Sequence, residues 1–233
     1  MVAKIPTICI LAGGRGTRLG ALTLNSPKPL LPVAGRPFIE HILVGLGESG
    51  AHRVVLSIGY LAEQFRDALG DGGRFGLDLH FVEDGDTPAG TAGGIRNCLP
   101  LLDDPFIVMY GDSLLDTGPE AVIAAHIAGQ RPATMTVIRS SLCNEEANCV
   151  VQGDQVTAYG KNPPPIESTF VDYGMLVFSK AVFADFEGPD LSTLQSDLAA
   201  SRCLTAFEVK SPYIEIGTPD ALAAAQNDLH ADG

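Results

Sequence analysis

The chain opens on a largely apolar run, Thr7–Ala12, that stops at Gly13 and Gly14. A run of that length without polar alternation predicts a strand covered on both faces. A loop punctuated by glycine and proline then extends to about Pro32. From Pro37 to Ser49 the apolar positions Phe38, Ile42, Leu43 and Leu46 recur at helical spacing, and Gly50 closes the segment. The same alternation continues. It predicts strands over Arg53–Ile58, Leu79–Glu83, Pro105–Tyr110 and Thr134–Arg139, and helices over Leu61–Leu69, Thr91–Leu101 and Glu120–Ala128. Strand–helix repetition of this kind predicts an α/β fold, a Rossmann-like and mostly parallel sheet flanked by helices on both faces.

After about residue 140 the pattern changes. Short strand-like pieces (Cys149–Gln152, Gln155–Tyr159, Thr169–Phe178) surround a turn at Pro163–Pro165, and helical spacing returns at Leu191–Ser201 and Asp220–Leu229. No repeat, low-complexity tract or linker divides the chain, so a single domain over 1–233 is expected, with 141–233 forming the wall of a pocket built on 1–140.

Charge sharpens this picture. The net charge is −13, which argues against a protein that coats nucleic acid. The first forty residues run the other way: Lys4, Arg15, Arg18, Lys28 and Arg36 face a single acid, Glu40. A cationic island on an acidic body suits a small anionic ligand. No stretch reaches the roughly 20 apolar residues of a membrane span, and the N-terminus lacks the apolar core of a signal peptide. Five scattered cysteines with no Cys-x-x-Cys read as reduced thiols, so a cytoplasmic protein is expected. The five histidines are dispersed and read as structural or solvated.

In open α/β sheets, ligands gather where strands end. Two strand ends here carry chemistry, Gly13–Arg18 and Gly111–Asp112. Glycines at 13, 14 and 16 let backbone N–H groups approach a phosphate, and Arg15 and Arg18 add donors suited to phosphate oxygens. The loop matches neither familiar phosphate motif. A dinucleotide fingerprint requires glycine where Leu19 stands, and a Walker A loop requires a Gly-Lys-Ser/Thr that is absent. Farther along, Lys28 sits between Pro27 and Pro29, on a backbone stiffened by both.

Taken together, LAGGRGTRL from Leu11 and PKPLLPVAGRPF from Pro27 resemble the signature of the sugar-1-phosphate nucleotidyltransferases. The resemblance continues through Gly59-Tyr60, Gly90-Thr91-Ala92-Gly93-Gly94, Tyr110-Gly111-Asp112, Lys161 and the run Tyr213–Pro219. Among branches it is most similar to the heptose-1-phosphate guanylyltransferase type, with the muramic-acid-1-phosphate uridylyltransferase type close behind. It implies a nucleotidyltransferase (GT-A-like) architecture without the C-terminal β-helix of longer members. It implies a nucleotide-binding half over 1–140 and a sugar-phosphate-binding half over 141–233. The implied activity joins an NTP, GTP favoured, to a hexose or heptose 1-phosphate with release of pyrophosphate, Mg²⁺ serving as cofactor and the chain acting as monomer or homodimer.

Roles follow from the same resemblance. Leu11, Ala12, Gly13, Gly14, Gly16, Thr17 and Arg18 would cradle the nucleotide, with Glu83, Gly90, Thr91 and Gly111 completing its site. Arg15 would hold the β- and γ-phosphates, Lys28 the α-phosphate, and Asp112 the metal, with Glu215 as the second metal ligand. Lys161, Asp172 and Gly174 would bind the sugar phosphate. Three positions depart from the family pattern. Gly160 stands where a glutamate is usual, Asp172 where asparagine is usual, and Glu215 where aspartate is usual. The triphosphate half is intact and the sugar half altered, which implies a changed sugar; the alternatives are a non-catalytic nucleotide or sugar-phosphate sensor, or a uridylyl-, thymidylyl- or cytidylyltransferase of the same family.

Overall fold

The structure, a computed structural model, describes residues 4–85, 87–143 and 145–231. Its strands begin β1 (Ile8–Leu11), β2 (Pro32–Val33), β3 (Arg36–Pro37), β4 (Arg53–Ile58), β5 (Asp78–Glu83), β6 (Phe106–Tyr110) and β7 (Ser113–Leu114). They continue as β8 (Ala133–Arg139), β9 (Cys149–Gln152), β10 (Gln155–Tyr159), β11 (Phe170–Phe178), β12 (Leu204–Val209) and β13 (Ile214–Glu215). The helices are α1 (Phe38–Glu48), α2 (Ala62–Leu69), α3 (Gly90–Cys98), α4 (Pro119–Gly129), α5 (Leu191–Ala200) and α6 (Pro219–Ala231). Every strand and helix expected from periodicity is present, with ends displaced by a few residues.

Nine strands form one sheet in the order β5-β4-β1-β6-β11-β8-β12-β10-β9. The first four are parallel, with Leu11 opposite both Ser57 and Tyr110 and Ile58 opposite Glu83. Their C-terminal ends therefore share one edge. Here the expectation of a mostly parallel sheet needs correcting. β11 enters antiparallel between β6 and β8, β10 and β9 are antiparallel, and only β12 restores a parallel pairing, with β8. The sheet is mixed. β11 is buried along all nine residues, so it takes the centre, although it arrives late in the chain.

Alternate positions on β1 explain the two covered faces. Ile8 and Ile10 pack with α1, α2, α4 and α6, while Cys9 packs with α3 and α5 on the other side. Each face holds its own core, so the strand reads as continuous apolar sequence. A bulge interrupts β11 between Asp172 and Leu176, where Gly174 adopts φ 102°. Thr136 stitches the bulge: its hydroxyl donates to Met175 O at 2.7 Å and accepts from Met175 N at 3.1 Å. Bulges turn side chains toward new neighbours, and this one turns Asp172 and Gly174 toward the strand-end edge.

The N-terminus of α3 docks on the segment that leads into α5. Ala92 N and Gly93 N donate to Pro189 O at 2.8 and 3.4 Å, and Leu191 N donates to the Thr91 hydroxyl at 2.7 Å. Gly90 has φ 75°, and a Cβ there would lie 2.5 Å from Pro189 O. Gly90→Ala combines a left-handed conformation with a collision against backbone. A loss of about 2–4 kcal/mol is expected, lowering Tm by roughly 5–15 °C for a chain of this size. Thermal unfolding of the variant checks this; an unchanged Tm would mean that the docking is not rigid.

Candidate active site

At the shared strand-end edge, Ala12 N donates to Ser57 O at 2.8 Å and Gly111 N donates to Leu11 O at 2.9 Å. These bonds keep the loops after β1, β4 and β6 in contact. A cavity of about 390 Å³ opens above them. Leu11, Ala12, Gly13, Gly14, Gly16, Thr17, Arg18, Lys28, Gly90, Thr91 and Asp112 all line it, so most of the expected nucleotide positions converge.

Lys28 is the buried charged member of this set. Its stem passes beneath Gly16, where a Cβ would lie 3.0 Å from Lys28 Cβ and where φ is 61°. Only glycine meets both demands at position 16. The Lys28 ammonium donates to Asp112 Oδ2 at 2.5 Å, with the lysine side chain 9% exposed and the aspartate 32%. The turn that carries Lys28 is anchored from behind. Gln226 on α6 accepts from Ala34 N at 2.8 Å and donates to Pro32 O at 2.7 Å.

A second cavity, about 340 Å³, lies beyond Asp112. Arg18, Tyr110 and Asp112 line both cavities and form their junction. The second one gathers Lys161, Asp172, Gly174 and Glu215, the expected sugar-phosphate and metal positions. The Lys161 ammonium lies 5.5 Å from the centre of the Tyr110 ring, and that ring rests against Gly174. Glu215 arrives on β13, opposite Ser113 of β7, so it stands beside Asp112. Burial holds the Glu215 carboxyl above its ordinary range, and repulsion from Glu145 and Asp112 adds to this; Lys28 and Arg18 pull the other way. Two crowded carboxylates with oxygen donors suit a hard divalent cation. Among the described residues no group of three His, Cys, Asp or Glu could hold a metal by itself, so ligand oxygens would have to complete the shell.

Three expected positions lie elsewhere. Glu83 pairs with Arg66 at 2.7 Å, outside the cavity, because strand alternation turns it toward α2. Its neighbour Asp84 takes the place on the cavity wall instead, accepting from Ala89 N at 3.3 Å. Arg15 is exposed, with its guanidinium carbon 5.7 Å from the centre of the Tyr60 ring, and it does not line the cavity. Gly111 is a point of close approach between loops: a Cβ there would lie 3.0 Å from Leu11 O. Thr91 lines the cavity, but its hydroxyl is engaged by Leu191 N, as Pro189 O engages the amides that follow. In the second cavity the sequence reading missed Glu145, Glu146 and Asn148, which no spacing marked, and gave no role to Tyr213, although it opens the run Tyr213–Pro219.

The model of the nucleotidyl transferase family matches residues 8–231. Mannose-1-phosphate guanylyltransferase of Mycobacterium tuberculosis is 30% identical over 94% of this chain and 63% of its own length. N-acetylmuramate alpha-1-phosphate uridylyltransferase of Neisseria meningitidis is 46% identical over 46% of this chain and 47% of its own. The chain thus spans less than two thirds of these relatives. Among solved structures, HddC from Yersinia pseudotuberculosis complexed with GMP-PN has a TM-score of 0.81 at 23% identity, covering 97% of this chain and all of its own. The inositol-1-phosphate CTP transferase of T. maritima has a TM-score of 0.82 at 22% identity, with 99% and 97% covered. At these identities the two structures establish the fold.

The wall position of Asp84 generates a test. Burial raises its carboxyl above the ordinary value, while the bond from Ala89 N lowers it in part. Ionisation therefore disfavours the fold as pH rises through the window between the unfolded and folded values, and below about pH 4 the penalty is absent. Asp84→Asn is expected to melt above the unsubstituted protein at pH 7, with the gain shrinking to nothing near pH 4. Melting curves of both proteins across that range check it; a gain independent of pH would assign the effect to another cause.

Proposed function

We propose that this chain, which belongs to the nucleotidyl transferase family, condenses a nucleoside triphosphate with a sugar 1-phosphate to give a nucleotide sugar and pyrophosphate. The observation that carries this reading is the meeting of two cavities at the Lys28–Asp112 pair. One cavity is floored by glycine backbone and suits a nucleotide; the other is lined by hydrogen-bonding side chains and suits a sugar. A phosphate oxygen of the sugar attacks the α-phosphorus in line, the new P–O bond forms, and the bond to pyrophosphate breaks. The nucleophile is already anionic, so the protein needs no general base. Its task is positioning and charge neutralisation.

Lys28 presents its ammonium at the junction, where charge builds on the α-phosphate. Arg18 faces both cavities and serves both phosphates. Lys161 meets the sugar phosphate from the far side. Asp112 and Glu215 would hold a divalent cation, Mg²⁺ by the oxygen-only donor set, and such an ion supplies further charge neutralisation when bound. Guanine is the favoured base, in line with the guanylyltransferase named among the relatives. The sugar is a neutral hexose or heptose. Glu145, Glu146 and Asp172 all line its cavity, so a carboxylate-bearing sugar such as N-acetylmuramate would meet three negative charges.

Pyrophosphate release tests the reading, measured with Mg²⁺ across four NTPs and a panel of mannose, glucose, heptose and N-acetylmuramate 1-phosphates. Release that requires one NTP and one neutral sugar phosphate is expected. Asp112→Asn and Lys28→Ala should each lower kcat by about 10²–10³-fold, the scale of removing one preorganised electrostatic contact. Nucleotide binding without release from any pair would instead assign the chain to the regulatory class.

A further inference from the structure

The floor of the sugar cavity hangs on a side chain that does not line it. Asp172 is 8% exposed and presents its carboxylate to the cavity from the bulge in β11. Three donors hold that carboxylate. Gly174 N donates to Oδ1 at 3.1 Å. Tyr159 donates its hydroxyl to Oδ2 at 3.3 Å, and Gln195 donates its amide Nε2 to the same oxygen at 3.1 Å. A carboxylate offers about four acceptor positions, so one remains, on Oδ1.

Gln195 is out of place by packing criteria. It lies on α5 with no exposed surface, between the buried Leu194 and Leu198. Its Oε1 is buried without a hydrogen-bond partner among the described residues. An unpartnered buried acceptor is destabilising, and a leucine or methionine here would fill the same space without that cost. Among the described residues, the one hydrogen bond the amide makes is that to Asp172.

We propose that Gln195 is a positioning residue for sugar binding: it pins the Asp172 carboxylate so that the free position on Oδ1 accepts a hydroxyl of the sugar. Gln195 itself touches no substrate. The inference rests on the two-cavity reading above. It also accounts for aspartate at 172: with Gly174 N and Gln195 Nε2 both donating, an asparagine would turn its NH₂ toward one of those donors unless the Gln195 amide were reversed.

Two variants test this, with turnover of the unsubstituted protein measured first. Gln195→Met keeps volume and removes the donor. KM for the sugar 1-phosphate (mannose 1-phosphate, or the panel member with the highest kcat/KM) should rise about tenfold, with KM for the NTP unchanged. Gln195→Glu makes the donor conditional. When protonated, its carboxyl donates to Asp172; when ionised, it repels it. Its sugar KM should stay close to that of the unsubstituted protein near pH 5.5 and rise steeply toward pH 8, whereas a merely structural role for position 195 raises the KM values of sugar and NTP together as the buried carboxyl ionises. Normal sugar KM in Gln195→Met, or equal rises for sugar and NTP, would overturn the proposal and leave the transferase reading standing. Absence of turnover in the unsubstituted protein with every pair would overturn the reading and this proposal together. Circular dichroism melts of both variants identify any that fail to fold; in that event Tyr159→Phe, which removes the other side-chain donor to Oδ2, must raise sugar KM alone, and unchanged sugar KM there overturns the proposal.

Discussion

The contact between Lys28 and Asp112 organises the site. A buried ammonium is costly unless an anion faces it, and the carboxylate at the end of β6 supplies one at 2.5 Å. That requirement fixes where the loop after β1 can run. Gly16 must cross the lysine stem at close range, Pro27 and Pro29 stiffen the turn that carries it, and Gln226 anchors the backbone that follows. The C-terminal helix thus holds the N-terminal loop, and α6 begins four residues after Glu215. One element ties the lysine turn to the second carboxylate.

Charge is divided along the chain in a way that suits this arrangement. Five of the 15 basic residues fall in the first forty positions against one acid, while the carboxylates that line the second cavity come from the later part. Among the described residues lining that cavity, Asp112, Glu145, Glu146, Asp172 and Glu215 outnumber Arg18 and Lys161, and Lys28 offsets Asp112 from the neighbouring cavity. Such an excess is destabilising: burial first, and then repulsion from Glu145 and Asp112, raises the Glu215 carboxyl above its ordinary range. A divalent cation and hydroxyl donors relieve it; a further anion other than the phosphate does not. The cavity's electrostatics are thus compatible with the metal-bound neutral sugar phosphate that we propose as its occupant.

Much of this was legible beforehand, for a local reason. Strand–helix spacing and glycine placement are encoded over short windows, so β1, β4, β5, β6 and the loop after β1 could be read directly. What escaped depends on long-range pairing. The place of β11 at the sheet centre follows from its pairing with β6 and β8, which lie far away in sequence. β7 and β13 are two residues each, yet their pairing is what sets Glu215 beside Asp112. Glu83 and Asp84 show the finest grain of the limit. Both sit at the end of β5, and a shift of one residue reverses which side chain meets the cavity.

The three departures from the family pattern all fall in the sugar half, and the structure gives each a physical setting. At 160 a Cβ would lie 3.1 Å from Pro163 O, so the turn before Pro165 leaves little room for a longer side chain. At 172 the surrounding groups donate, and aspartate accepts from all of them. At 215 the side chain reaches back from a short ribbon: its carboxylate oxygens stand 3.0 and 3.1 Å from where a Cβ on Gly217 would lie. The substitutions at 160 and 172 are matched by their own neighbours, and the Glu215 carboxylate, crowded by Glu145 and Asp112, would be matched by a bound cation. Random decay of an unused site would leave mismatched contacts, such as a donor facing a donor or a side chain without space. Under the function we propose, substitutions matched in this way in the sugar cavity, beside a glycine loop whose backbone converges on the nucleotide cavity, fit a change of sugar better than a loss of activity.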